Sequence, residues 1–142
     1  MSRIELRIES SHDNSSLIGM AVNRICSEYF SESDVWGIEL SVIEAINNVI
    51  QHAYKNNPKG IIAITLDFRS KFLLIDIQDR GQRPPENFLS DAQVEKIFGF
   101  DKRNVDCYPV DGMGIALIKM HMTKVDFFSL NGINTIRLLK NY

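Results

Sequence analysis

Apolar and polar residues alternate at the start of the chain, with Ile4, Leu6 and Ile8 set between Arg3, Glu5, Arg7 and Glu9. That period of two predicts a half-buried strand near a sheet edge. The period then lengthens. Leu17, Ile18, Ala21, Val22, Ile25, Cys26 and Tyr29 fall on one face of a helix that Asp13 or Asn14 can cap and that ends around Phe30. A second helix is predicted from Ser33 and Asp34 to just before Asn56-Asn57-Pro58-Lys59-Gly60, where helix-breaking residues crowd together. Its apolar face is Val42, Ile43, Ile46, Val49, Ile50 and Ala53, which leaves Glu44, Asn48, Gln51 and Lys55 as a polar stripe on the other side.

Residues 61–68 and 72–77 are two β-rich runs around Arg69-Ser70-Lys71 and read as a hairpin, with Asp79 just past the second strand. Between Gly81 and Gly112 the pattern breaks down into Pro84, Pro85, a short helix at 93–98 and a polar segment. An irregular insert of that length points to a functional segment. Ile115, Ala116, Leu117, Ile118 and Met120 make a short apolar helix, and residues 125–130 and 133–139 close the chain as a hairpin around Asn131-Gly132. No repeat or linker divides the 142 residues, so one domain spanning 1–142 is expected.

Composition adds limits. The content is 44% hydrophobic and 24% charged, as in ordinary globular domains, and the net charge is −2. No field strong enough to hold nucleic acid or an anionic membrane surface follows from that balance, so neither is an expected partner. Cys26 and Cys107 share no metal spacing and fit a reduced compartment. The charged start and the lack of about 20 consecutive apolar residues give neither a signal peptide nor a membrane span, and the expected location is the cytoplasm.

Three short motifs carry the candidate chemistry. Glu44 and Asn48, four residues apart, project from one helix face; the carboxylate suits a proton acceptor and the Asn oxygen a single hard ligand for Mg²⁺. A solvated helix face would show the same pattern. Asp79, with Gly81 two residues on, offers an acceptor-only carboxylate that suits the amino group of adenine, although Asp and Gly are also common in plain turns. Gly112 and Gly114 open an apolar helix, a loop that lets backbone N–H groups approach phosphate or serves only as a helix entry capped by Asp111. Lys102 and Arg103 can reach a terminal phosphate from the insert, and the Thr135 hydroxyl can support Asp79. His12, His52 and His121 lack companions at ligand spacing and read as surface or packing residues.

Glu44-Ala-x-x-Asn48-x-x-x-His52-Ala53-Tyr54, Asp79-x-Gly81 and Gly112-x-Gly114-Ile115 together resemble the N, G1 and G2 boxes of the GHKL ATP-binding superfamily, shared by gyrase, MutL-type repair proteins and histidine kinases. The small stand-alone anti-sigma-factor serine kinases of bacteria are the most similar branch. The resemblance implies a two-layer α/β sandwich with a mixed, largely antiparallel sheet under helices on one face. It implies ATP and Mg²⁺ as ligands, Glu44 as catalytic base and Asn48 as the magnesium residue. Asp79 would bind the adenine amino group, flanked by Gly81 and supported by Thr135; Gly112 and Gly114 would wrap the phosphates, and residues 82–111 would form the ATP lid. Arg83 stands where many members carry a second G1 glycine, and Asn47 where some of the kinases carry threonine.

The activity so implied is transfer of the ATP γ-phosphoryl group to a serine of a STAS-domain anti-sigma-factor antagonist. The same resemblance implies a homodimer that sequesters a sigma factor or another regulator by partner switching. A nucleotide-gated binding module without catalysis, or an ATPase without a protein acceptor, are the alternatives.

Overall fold

The computed structural model describes residues 1–85, 89 and 114–142. Within them five strands and three helices run β1 (Ser2–Glu9), α1 (His12–Cys26), α2 (Glu32–Asn48), β2 (Ile61–Phe68), β3 (Phe72–Asp79), α3 (Gly114–His121), β4 (Lys124–Leu130) and β5 (Ile133–Asn141). The strands lie in the order β1-β2-β3-β5-β4, and every pairing between them is antiparallel. β1 is therefore an edge, as its alternation predicts, and β5 lies inside the sheet between β3 and β4.

Register explains why one face of the sheet is apolar. Leu6 lies opposite Ile64, Ile64 opposite Ile77, and Ile77 opposite Ile136, so the period-two hydrophobes of four strands share one surface. Ile62, Ile64, Leu66, Leu73, Ile75, Ile77, Ile136 and Leu138 are buried there, in one cluster with Val22, Cys26, Ile38, Val42 and Ile46 from α1 and α2. This is the expected two-layer sandwich. Cys26 is a core residue, and burial pushes its thiol up to about 12, the behaviour of an unreactive packing cysteine.

Helix caps lie two or three residues ahead of expectation. Ser11 precedes α1, and Ser31 caps α2 by accepting from the Asp34 N–H at 3.2 Å. Each serine stands ahead of the acidic residues taken as caps, which instead occupy the first turn and face the positive helix end. α1 stops at Cys26, before Phe30. Helix α2 does not stop at Asn48; it widens into a π-helical turn, Val49–Ala53, in which the Tyr54 N–H reaches back five residues to the Val49 carbonyl at 3.1 Å. β3 extends through Asp79 because Asp79 pairs with Asn134 of β5.

Candidate functional site

Glu44 and Asn48 sit on the last turns of α2, both half-buried. The Asn48 Nδ2 donates to the Glu44 carbonyl at 3.1 Å, which fixes the amide and leaves its carbonyl oxygen for a ligand. Burial raises the Glu44 carboxyl above the ordinary glutamate range, and a carboxylate so raised is a better proton acceptor. Gly114, at the start of α3, lies against both side chains: a Cβ there would stand 2.8 Å from Glu44 Oε2 and 3.1 Å from Asn48 Nδ2. Glycine is what lets the helix entry come this close. Gly114 and the Glu44–Asn48 pair, 66 to 70 positions apart in sequence, are thus neighbours.

Asp79 ends β3 and is 5% exposed. Its Oδ1 accepts from the Gly81 N–H at 2.9 Å and from Asn134 Nδ2 at 2.8 Å. Burial pushes this carboxyl up, and the two donors act the other way. Gly81 is pressed against the π-helical turn, where a Cβ would lie 2.6 Å from the Ala53 carbonyl carbon, and the next N–H, that of Gln82, donates to the Ala53 oxygen at 2.8 Å. Tyr54 adds a second tie, accepting from the Arg80 N–H at 3.0 Å and donating to the Ile61 carbonyl at 2.6 Å. The widened turn therefore serves as the anchor that fixes where β3 ends and how Asp79 is presented.

Between these groups lies a cleft of about 400 Å³, walled by Val49, Ala53, Phe127 and Ile136 and carrying Asn48 and Asp79. Apolar walls with a few convergent polar groups are the ordinary make-up of a small-molecule site. His52, Lys55 and Arg83 also line it. His52 is exposed, as expected of a surface residue, and it borders the cleft because the i, i+4 spacing continues from Asn48 into the π-helical turn. A larger hollow of about 1060 Å³ between the helix ends, lined by Phe30, Trp36 and His121 among others, includes none of Glu44, Asn48 or Asp79.

One expected site residue is displaced. Thr135 does not support Asp79: it pairs with Gln78 in the register and accepts from Gln78 Nε2 at 3.2 Å, on the sheet face opposite to Asp79. Successive strand residues point to opposite faces, and the partner of Asp79 is Asn134. That residue was missed, although its alternation with Ile136 and Leu138 carries the signal. Gly112, Lys102, Arg103, Asp111, Cys107, the 93–98 helix and nearly all of the 82–111 lid lie outside the described residues.

No group of three or more His, Cys, Asp or Glu side chains able to hold a metal occurs among the described residues, while the Asn48 amide, which meets Gly114 through its Nδ2, carries an oxygen of the kind that suits an ion taking its other ligands from phosphates and water. No helix among the described residues is long and apolar enough to cross a membrane.

Comparison with known proteins bears on the family and the fold. Residues 8–140 match the family described as the histidine kinase-like ATPase domain. The serine-protein kinases RsbW of Staphylococcus aureus strains JH9 and Newman are each 31% identical over 140 residues, covering 96% of this chain and 85% of theirs. Among solved structures, a chain holding the RsbU and RsbW domains of a Mycobacterium tuberculosis protein superposes with a TM-score of 0.68 at 13% identity, over 99% of this chain and 32% of that one. A mycobacterial sensor histidine kinase, MprB, gives a TM-score of 0.50 at 14% identity, over 99% of this chain and 97% of its own. At those identities the two structures speak for the fold alone.

Proposed function

The chain belongs to the histidine kinase-like ATPase domain family, an ATP-binding family, and from that premise we propose that it is a serine protein kinase acting on a STAS-domain anti-sigma-factor antagonist. In this reading the chain also sequesters a sigma factor or another regulator, works as a homodimer in the cytoplasm, and forms a single domain over residues 1–142 with a lid at 82–111. The observation that carries the catalytic part is the Gly114 contact, which brings the half-buried Glu44 carboxylate, the Asn48 amide and a helix entry to one point.

Each residue has a distinct task. Asp79 accepts the adenine amino group in the cleft, beside the apolar walls. Asn48 would hold Mg²⁺, which supplies charge neutralisation at the phosphates. The backbone of Gly114 leaves room for phosphate at the positive end of α3, and Gly112 is assigned to the same phosphate loop by the family pattern. Glu44, its basicity raised by burial, takes the proton of the acceptor serine hydroxyl as the γ-phosphoryl group is transferred. A binding module has no use for a base beside the phosphates, so Glu44 favours the enzyme over the nucleotide-gated alternative.

The test separates transfer from binding. With labelled ATP and a STAS-domain antagonist, Glu44→Gln is expected to lower transfer by about 10²–10⁴-fold while ATP still binds. Unchanged transfer in Glu44→Gln removes the assignment of the base. Binding of ATP by the wild type with no acceptor modified moves the reading to a binding module, and turnover without any acceptor moves it to an ATPase.

A further inference from the structure

We propose that Asn134, its amide oriented by the Gly81 carbonyl and tied to Ser129, is the positioning residue that turns Asp79 into a one-sided acceptor and thereby sets a preference for adenine over guanine nucleotides; this rests on the nucleotide reading above. Asn134 is 3% exposed and lies opposite Asp79 on one side and Ser129 on the other. An asparagine amide has a donor end and an acceptor end, and which end meets the carboxylate decides the chemistry. Here Ser129 Oγ donates to Asn134 Oδ1 at 2.8 Å. A hydroxyl can meet either end of an amide, so the orientation is set by the Gly81 carbonyl, which can only accept and takes an Nδ2 N–H.

Both remaining N–H groups are then spent at the site, on Asp79 Oδ1 at 2.8 Å and on the Gly81 carbonyl at 3.1 Å. With the Gly81 N–H also on Oδ1, that oxygen carries two donors, and no described residue donates to Oδ2. Donors of this kind favour the ionised carboxylate against the opposing effect of burial. An ionised Oδ2 accepts from an exocyclic amino group and repels the carbonyl that guanine presents at the same place. If the amide were reversed, its oxygen would face the carboxylate and favour a protonated, donating Asp79, which is the opposite preference.

Calorimetric titration with ADP and GDP, repeated across pH, tests this in the wild type, Asn134→Ala and Ser129→Ala, with thermal melting as the control for folding. Asn134→Ala is expected to weaken ADP by about tenfold to a hundredfold, to narrow the ADP-to-GDP ratio, and to lose ADP at a higher pH than the wild type as Asp79 takes up a proton earlier. Ser129→Ala, which removes the tie on the far end of the amide and loosens it, shifts all three in the same direction by less and carries the test if Asn134→Ala does not fold. His52, Lys55 and Arg83 share the cleft wall and are the same in every variant, so the difference between profiles reports Asp79. Equal weakening of ADP and GDP with an unmoved pH profile would make Asn134 merely structural and overturn the proposal, as would variants indistinguishable from wild type. Failure of the wild type to bind ADP overturns the nucleotide reading itself.

Discussion

Replacing Gly114 by alanine adds one carbon atom at the point where α3 meets α2. The new Cβ would stand 2.8 Å from Glu44 Oε2, and ordinary contact begins at 3.4 Å, so the carboxylate must retreat by about 0.6 Å while Asn48 Nδ2, at 3.1 Å, yields by about half as much. Both atoms are ends of flexible side chains, so the fold absorbs the change cheaply, and alanine favours the helix over glycine by up to about 1 kcal/mol. Chemistry is less tolerant. A displacement near 1 Å can cost about 10²-fold in rate, so Gly114→Ala is expected to melt within a few degrees of wild type, or above it, yet to transfer phosphate about tenfold to a hundredfold more slowly. Transfer to a STAS-domain antagonist, followed beside a thermal melt, measures both. A variant that folds and transfers at the wild-type rate would refute the claim that Gly114 sets the position of the base.

Three further outcomes follow from the same geometry. Thr135→Val keeps the β-branched shape and removes only the bond from Gln78; ADP affinity is expected to be unchanged and stability to fall by no more than about 1 kcal/mol, and a large loss of ADP binding would place Thr135 in the site after all. Gly81→Ala drives a Cβ against the Ala53 backbone, 2.6 Å from its carbonyl carbon, which cannot give way like a side-chain tip; denaturant unfolding should show a loss of about 1–3 kcal/mol. For Glu44, burial raises the folded-state carboxyl above its unfolded value, so its stabilising contribution is complete below the unfolded pKa and lost as pH rises through the folded one. Glu44→Gln should therefore melt higher than wild type at pH 7, with the difference shrinking toward pH 4; a lower melt at pH 7 would contradict the sign.

Much of this site is written in periodicity. The stripe of Glu44 and Asn48 follows from 3.6-residue spacing on a helix whose other face is apolar, and the inward set of each strand follows from alternation. Thr135 shows where residue type misleads: a hydroxyl is attractive chemistry, but Ile136 and Leu138 already assign the even positions of β5 to the core side, and with them Asn134. The π-helical turn has no comparable signature. It is stabilised by contacts from the far end of β3, through the Gln82 N–H and Tyr54, and such partners are fixed only by the tertiary fold. Cap positions slipped for a local reason, since Ser11 and Ser31 lie just ahead of the acidic residues that complement the helix dipole.

Calorimetric titration of the purified chain with ATP, with and without Mg²⁺, reaches the central claim most directly. Saturable uptake near one nucleotide per chain, tightened by magnesium and lost in Asp79→Asn, is the predicted result. No heat of binding from a folded wild-type protein, or uptake indifferent to Asp79, would contradict it.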